Sequence, residues 1–241
     1  MARLDVDAAL SCGLVYEVGP LVQAMIGWPL GLDTLRIRVV PKDRGYEEVV
    51  LGRLQGAGID TAAASGRGMA ERLLEYVVEG AVLSAYEPST GELLVVRENV
   101  DESNLNGLRL VVAHELVHRG QHLRHPCLFD RVNGIIRRLF RHASEGEVSL
   151  QQVRTAVAEV SPIMTLLESH AYYVQECLHR LHFPDAIVES HFDLPGLLFR
   201  VLGGFKLSQY TQAIPQVAEA TQNGTVDALY ASVWGLEPHV E

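Results

Sequence analysis

The sequence predicts an α+β fold, with a mainly helical body, a small N-terminal β-sheet and a buried helix that carries the functional motif. Three observations predict it. β-type patterns are confined to about residues 34–97, while helix spacing and helix caps dominate about 101–236. One helix, with Leu108, Leu110, Val111, Val112, Leu116 and Val117, is apolar almost all round, as a helix without a solvent face must be. The chain of 241 residues is long enough for one good-sized core and contains neither an internal repeat nor a low-complexity linker. Residues 1–241 therefore read as a single domain.

Residues 5–27 read as an imperfect amphipathic helix on Leu10, Leu14, Leu21 and Ile26, weakened by Gly13 and Gly19. In "TLRIRVV" (34–40), Leu35, Ile37 and Val39 alternate with Arg36 and Arg38, the pattern of a half-buried strand, and Pro41 ends it. Residues 52–68 are rich in Gly and Ala and carry no clear pattern; 69–79 predict a helix. "AVLSAYE" and "ELLVVRE" flank "PSTG", which predicts a hairpin. A long helix then starts from a cap near Asp101 or Ser103 and stops at Pro126. A second covers 128–141, and Ser149 caps a third. Ser161-Pro162 reads as a cap and first-turn proline that open a fourth, running to about His182. Helices at Gly196–Leu202 and Lys206–Thr221 follow, the latter kinked or broken at Pro215, and "GTVDALYASVW" closes the chain.

Composition narrows the function classes. The formal net charge is −10 and no dense Lys/Arg block exists, which argues against nucleic acid and anionic membranes as partners. Arg137, Arg138 and Arg141 read as a solvated helix face. Cys12, Cys127 and Cys177 are scattered and odd in number, so a disulfide framework is not expected and a reducing cytoplasm fits. The start carries early acids rather than the features of a signal peptide, and no run of about 18 apolar residues predicts a membrane span.

"VVAHELVHRGQH" (111–122) contains His114-Glu115-Leu116-Val117-His118, an H-E-x-x-H sequence. Residues four apart on a helix share a face, so both imidazoles can reach one ion. Glu115 lies about 100° round the helix, where it can take a proton from a metal-activated water without being a ligand. His122 continues the series but sits about 12 Å along the axis from His114, too far to share one ion. It reads as a rim residue, and with Gln121 and Arg124 it misses the metzincin pattern. The third ligand must come from another element. "SPIMTLLESHAYYVQECLHRLH" offers Glu168 or His170, which point about 200° apart on a helix. Ile163, Leu166, Leu167, Val174, Cys177, Leu178 and Leu181 define an apolar stripe that includes His170. Glu168 lies opposite, with Thr165, Tyr172, Gln175 and His179 around it. Packing of the motif helix on the polar side would select Glu168 and complete a His₂Glu catalytic zinc set.

"HELVH", Pro126, "MTLLESHAYYV", "GFKLSQYTQAIPQV" and "GTVDALYASVW" resemble, in order, the landmarks of a family of uncharacterised bacterial zincin-like proteins labelled zinc-dependent metalloproteases or hydrolases. The resemblance covers about 105–236. It implies a zincin-like fold, Zn²⁺ as cofactor, His114, His118 and Glu168 as ligands, and Glu115 as the catalytic acid/base, a gluzincin-type arrangement. Its "KxxQY" signature falls on Lys206, Gln209 and Tyr210, to which it attaches no role. Cys127 and Ser169 depart from the family's usual Trp and Gly, which bears on the shape of the cleft more than on the ligands.

The expected function is a zinc-dependent metallopeptidase or related amide hydrolase, with a peptide or protein as substrate. The alternatives are a catalytically silent zincin-fold metal-binding protein and a zinc hydrolase of a non-peptide substrate. An oxyanion needs a donor besides the metal. Tyr172 is the first candidate, ahead of His170, Tyr173 and Tyr210, although tyrosines on helices commonly serve a core. By analogy with zincins, "ELLVVRE" is expected to be an edge strand that aligns an extended peptide.

Overall fold

The computed structural model describes residues 7, 13–45, 84–101, 103–144, 149–187 and 213–234. The stretches 52–68, 69–79 and Gly196–Leu202, together with Lys206, Gln209 and Tyr210, lie outside the described residues. The described chain is mostly helical with one small three-stranded sheet, an α+β arrangement.

Helix α1 runs Leu14–Ile26. Gly13, at φ 100°, opens it, so 5–27 is not one continuous helix; only glycine takes that turn without strain. Strand β1 (Arg36–Val40) follows a 3₁₀ turn at Leu32–Thr34, and a single helical turn, α2 (Lys42–Gly45), follows Pro41. The hairpin forms as β2 (Ser84–Glu87) and β3 (Glu92–Val96). The strand order is β1-β3-β2, with β1 parallel and β2 antiparallel to β3. "ELLVV" is therefore the central strand and not an edge, because Arg36–Val40 pairs along its other side. The opposite edge, β2, is buried along its whole length.

Helix α3 (Leu105–Arg124) carries the motif. Its cap is Asn104, whose Oδ1 accepts from the Gly107 N–H at 2.8 Å, rather than Asp101 or Ser103. Asp101 is occupied instead with the Ser103 amide and hydroxyl, a local turn one step too early to cap the helix. α3 packs on α1, β2 and a long later helix, α5 (Leu150–His182), with Leu108, Leu110, Val111, Val112, Leu116 and Val117 buried and only Leu123, near its end, an exposed large apolar residue. Gly120 leaves no room for a side chain: a Cβ there would lie 2.6 Å from Ile26 Cδ1 of α1 and 3.2 Å from Leu30 Cδ2.

Helix α4 spans Pro126–Ser144, and Arg137, Arg138 and Arg141 are exposed on it. The predicted third and fourth helices are one helix, α5, of 33 residues (Leu150–His182), capped by a Ser149/Gln152 capping box. Pro162 lies inside it on the solvent face. Packing offsets the missing N–H: the buried stripe of Val160, Ile163, Met164 and Leu167 continues through the proline. The Ser161 hydroxyl donates to the Val157 carbonyl at 2.7 Å, back-bonding within the same turn. Leu181, assigned to the stripe from spacing, is exposed near the helix end. Of the predicted helix at Lys206–Thr221, only the part from Ala213 onward lies among the described residues, and there Pro215 stands at a helix start. It occupies the first turn of α6 (Ile214–Gln222), where its missing N–H costs nothing. Helix α7 (Val226–Trp234) ends the described chain. Among the described residues no helix is long and apolar enough to cross a membrane.

Candidate metal centre

Helical spacing puts His114 and His118 one turn apart on the face of α3 that meets α5. From α5, Glu168 reaches between them. Its Oε1 lies 3.2 Å from His118 Nε2, and its Oε2 lies 3.4 Å from His114 Nε2. The two Nε2 atoms are 3.1 Å apart. Two donors bound at about 2.0–2.1 Å to one tetrahedral ion sit roughly 3.3 Å apart, so the three spacings match a shared ion. All three residues are buried, and their ligand atoms lie within 4.8 Å of one another. The group could hold a metal ion.

The surroundings fix which nitrogens face inward. Gln121 Nε2 donates to the Leu167 carbonyl at 2.9 Å, which turns its Oε1 to His118 Nδ1 at 2.8 Å. An amide oxygen only accepts, so His118 Nδ1 carries the proton and its Nε2 presents a lone pair. Gln175 Oε1 faces His114 Nδ1 at 3.0 Å and does the same there. Two lone pairs and a carboxylate thus converge in a buried space, an arrangement that favours a cation between them. Glu168 Oε1 has no hydrogen-bond partner of good geometry despite its closeness to His118. Without a metal the demand falls on a proton. Burial alone would lower the His118 imidazole, but the Glu168 carboxylate outweighs it and raises the group to about 9. Burial alone would raise Glu168, but the His118 charge and the closeness of both imidazoles hold it well below the usual carboxylate range.

Glu115 leaves α3 toward the sheet. Its Oε1 accepts from the Ser84 hydroxyl at 2.9 Å and its Oε2 from the Tyr86 N–H at 2.7 Å. It is buried, and its charge acts on His118. Tyr172 is half-buried and sets its ring edge-on to His114, with centroids 5.0 Å apart.

The other histidines go elsewhere. His122 Nδ1 meets the Tyr86 hydroxyl at 3.0 Å, and its ring packs on Phe129, away from the cluster. His170 points to the opposite side of α5 from Glu168. Its Nδ1 meets the Tyr230 hydroxyl at 2.9 Å and its ring is edge-on to Trp28. Burial lowers the His170 imidazole to about 3, so it stays neutral. The helix has two buried sides, one for Glu168 and one for His170.

Four contributors carry no motif in the sequence. Gln121 and Gln175 orient the imidazoles, and Ser84 with the Tyr86 amide holds Glu115. Spacing could have pointed to the glutamines, since Gln121 is three residues after His118 and Gln175 is two turns after Glu168. Arg119 is a fifth residue that spacing does not reveal. It is buried and ties α3 to the carbonyl of Gly31 at 2.7 Å and the hydroxyl of Thr34 at 2.7 Å, with its head group near Gly91 of the hairpin turn.

Compared with known proteins, the chain matches no family model, no curated protein and no solved structure. The reading of the site therefore rests on its own geometry and motif.

Proposed function

We propose that the chain is a zinc-dependent hydrolase of amide bonds, a metallopeptidase or a close functional relative with a zincin-like site. The observation that carries this reading is the convergence of His114 Nε2, His118 Nε2 and the Glu168 carboxylate, with Glu115 adjacent on the same helix. Two neutral imidazoles and one carboxylate form the ligand set that catalytic zinc sites use, with a position left for water. A zinc ion held there supplies a water that ionises near neutral pH and polarises a carbonyl oxygen.

The chain's own residues supply the rest. Glu115 keeps lone-pair capacity beyond its two bonds to β2, so it can take the proton of the attacking water and pass it to the leaving amine. Tyr172, against the His114 ring, is the candidate donor to the developing oxyanion.

A second reading has an observation of its own. Both Glu115 oxygens are engaged by β2 and the ligands are deeply buried, which suits a metal-binding protein that does no chemistry. Zinc-loaded protein and its Glu115→Gln variant, assayed on a broad peptide library, separate the two. The hydrolase reading expects cleavage that drops by roughly 10²–10⁴-fold in Glu115→Gln with zinc retained. Cleavage at full rate in the variant overturns the assigned role of Glu115. Stoichiometric zinc with no cleavage by either protein favours the silent module.

A further inference from the structure

Gln121 lies one turn beyond His118 on α3, so the two side chains share a face. It is fully buried, and a buried amide is costly unless both of its ends are partnered. Both are. The oxygen takes the His118 Nδ1 proton, and the nitrogen donates to the carbonyl of Leu167, the residue before Glu168 on α5. One side chain therefore spans from the ligand on one helix to the backbone beside the ligand on the other. Gln175 differs. Its oxygen faces His114 Nδ1, but its Nε2 has no hydrogen-bond partner, so it orients one ring and bridges nothing.

We propose that Gln121 is the positioning residue of the metal centre, a cross-brace that sets the orientation of His118 and the separation of His118 from Glu168 together. This rests on the metal reading above. Loss of a partner on a ligand imidazole commonly costs 10–100-fold in metal affinity. Because Gln121 fixes two ligands, its loss costs more than the loss of Gln175.

The test measures zinc affinity by competition with a chromophoric chelator, and the visible spectrum of the Co²⁺-loaded protein, in wild type, Gln121→Leu, Gln121→Glu and Gln175→Leu. Gln121→Leu is expected to bind zinc roughly 10–100-fold more weakly and to shift the Co²⁺ bands, which report ligand geometry. Gln121→Glu keeps the acceptor for His118 and loses the donor to Leu167, so it falls between, and it serves alone if the leucine variant does not fold. Gln175→Leu is expected to lose less than Gln121→Leu. A wild type that binds no metal overturns the metal reading and this inference together. A wild type that binds zinc, with Gln121→Leu and Gln121→Glu within twofold of it and unchanged Co²⁺ bands, overturns this inference alone. So does a loss in Gln175→Leu equal to that in Gln121→Leu.

Discussion

His114 and His118 turn their Nε2 atoms toward each other at 3.1 Å, while a buried amide oxygen occupies the Nδ1 side of each ring. Two neutral imidazoles arranged this way repel through their lone pairs. The nearby Glu168 carboxylate adds to the negative potential. Helix geometry accounts for the closeness of the rings; a positive charge between them, either a proton on His118 or a metal ion that the group could hold, accounts for their orientation.

A divalent ion should therefore bind with one equivalent per chain, and its retention should depend on Glu168 but not on His170. Elemental analysis after exhaustive dialysis checks this. Glu168→Ala is expected to lose the metal. His170→Ala is expected to keep it, at lower stability, because it removes a buried ring packed on Trp28 and bonded to Tyr230. Full zinc in Glu168→Ala together with none in His170→Ala would reverse the ligand assignment.

Among the described residues Ser84 is the one removable donor to Glu115, since the other is the Tyr86 backbone amide. A hydrogen bond to a buried charge contributes about 1.5–3 kcal/mol. Ser84→Ala should lower the unfolding free energy by about that amount in denaturant titrations, with zinc stoichiometry unchanged. Ser84→Thr keeps the hydroxyl and should lose less. Equal stability of Ser84→Ala and wild type would mean that water replaces the hydroxyl and that strand β2 does not hold the carboxylate.

The pairing of His114 with His118 was legible from helical period, and so was the divergence of Glu168 from His170, but which of those two meets α3 depended on packing. His114 and His118 share a face, and Glu168 and His170 cannot. The burial of α3 was legible from its apolar residues on all sides. What could not be read depended on tertiary partners. A strand pattern does not say whether a strand is central, so the place of "ELLVV" between β1 and β2 was lost. The Ser-Pro step at 161–162 carries a local stop signal that packing on both of its sides overrides. Asn104 won the cap from Asp101 and Ser103 because the latter two satisfy each other.

Pro162 makes that override measurable. A proline within a helix costs about 3 kcal/mol relative to alanine. Pro162 is exposed, so replacing it removes little packing. Pro162→Ala should raise the unfolding free energy by about 1–3 kcal/mol in chemical denaturation and leave metal binding intact. A destabilised variant would mean that α5 needs a bend at this point to bring Glu168 to α3.

The two buried histidines on either side of Glu168 should give the metal-free protein a stability maximum near neutral pH. His118 titrates at about 9 in the fold and at about 6.5 when unfolded. Its contribution is complete below about 6.5 and disappears as pH rises through about 9, because there the folded state holds a proton that the unfolded state has released. His170 has the opposite sign. It titrates at about 3 in the fold, so between about 3 and 6.5 the unfolded chain binds a proton that the folded chain refuses, and stability falls as pH falls. The lowered Glu168 adds to the acid limb below its unfolded range of about 4.3. Thermal unfolding of chelator-treated protein from pH 4.5 to 9.5 should show both limbs. Zinc holds His118 without its proton, so the alkaline limb should flatten in the loaded protein while the His170 limb remains. An alkaline limb of equal slope with and without zinc would show that His118 does not exchange a proton for the metal.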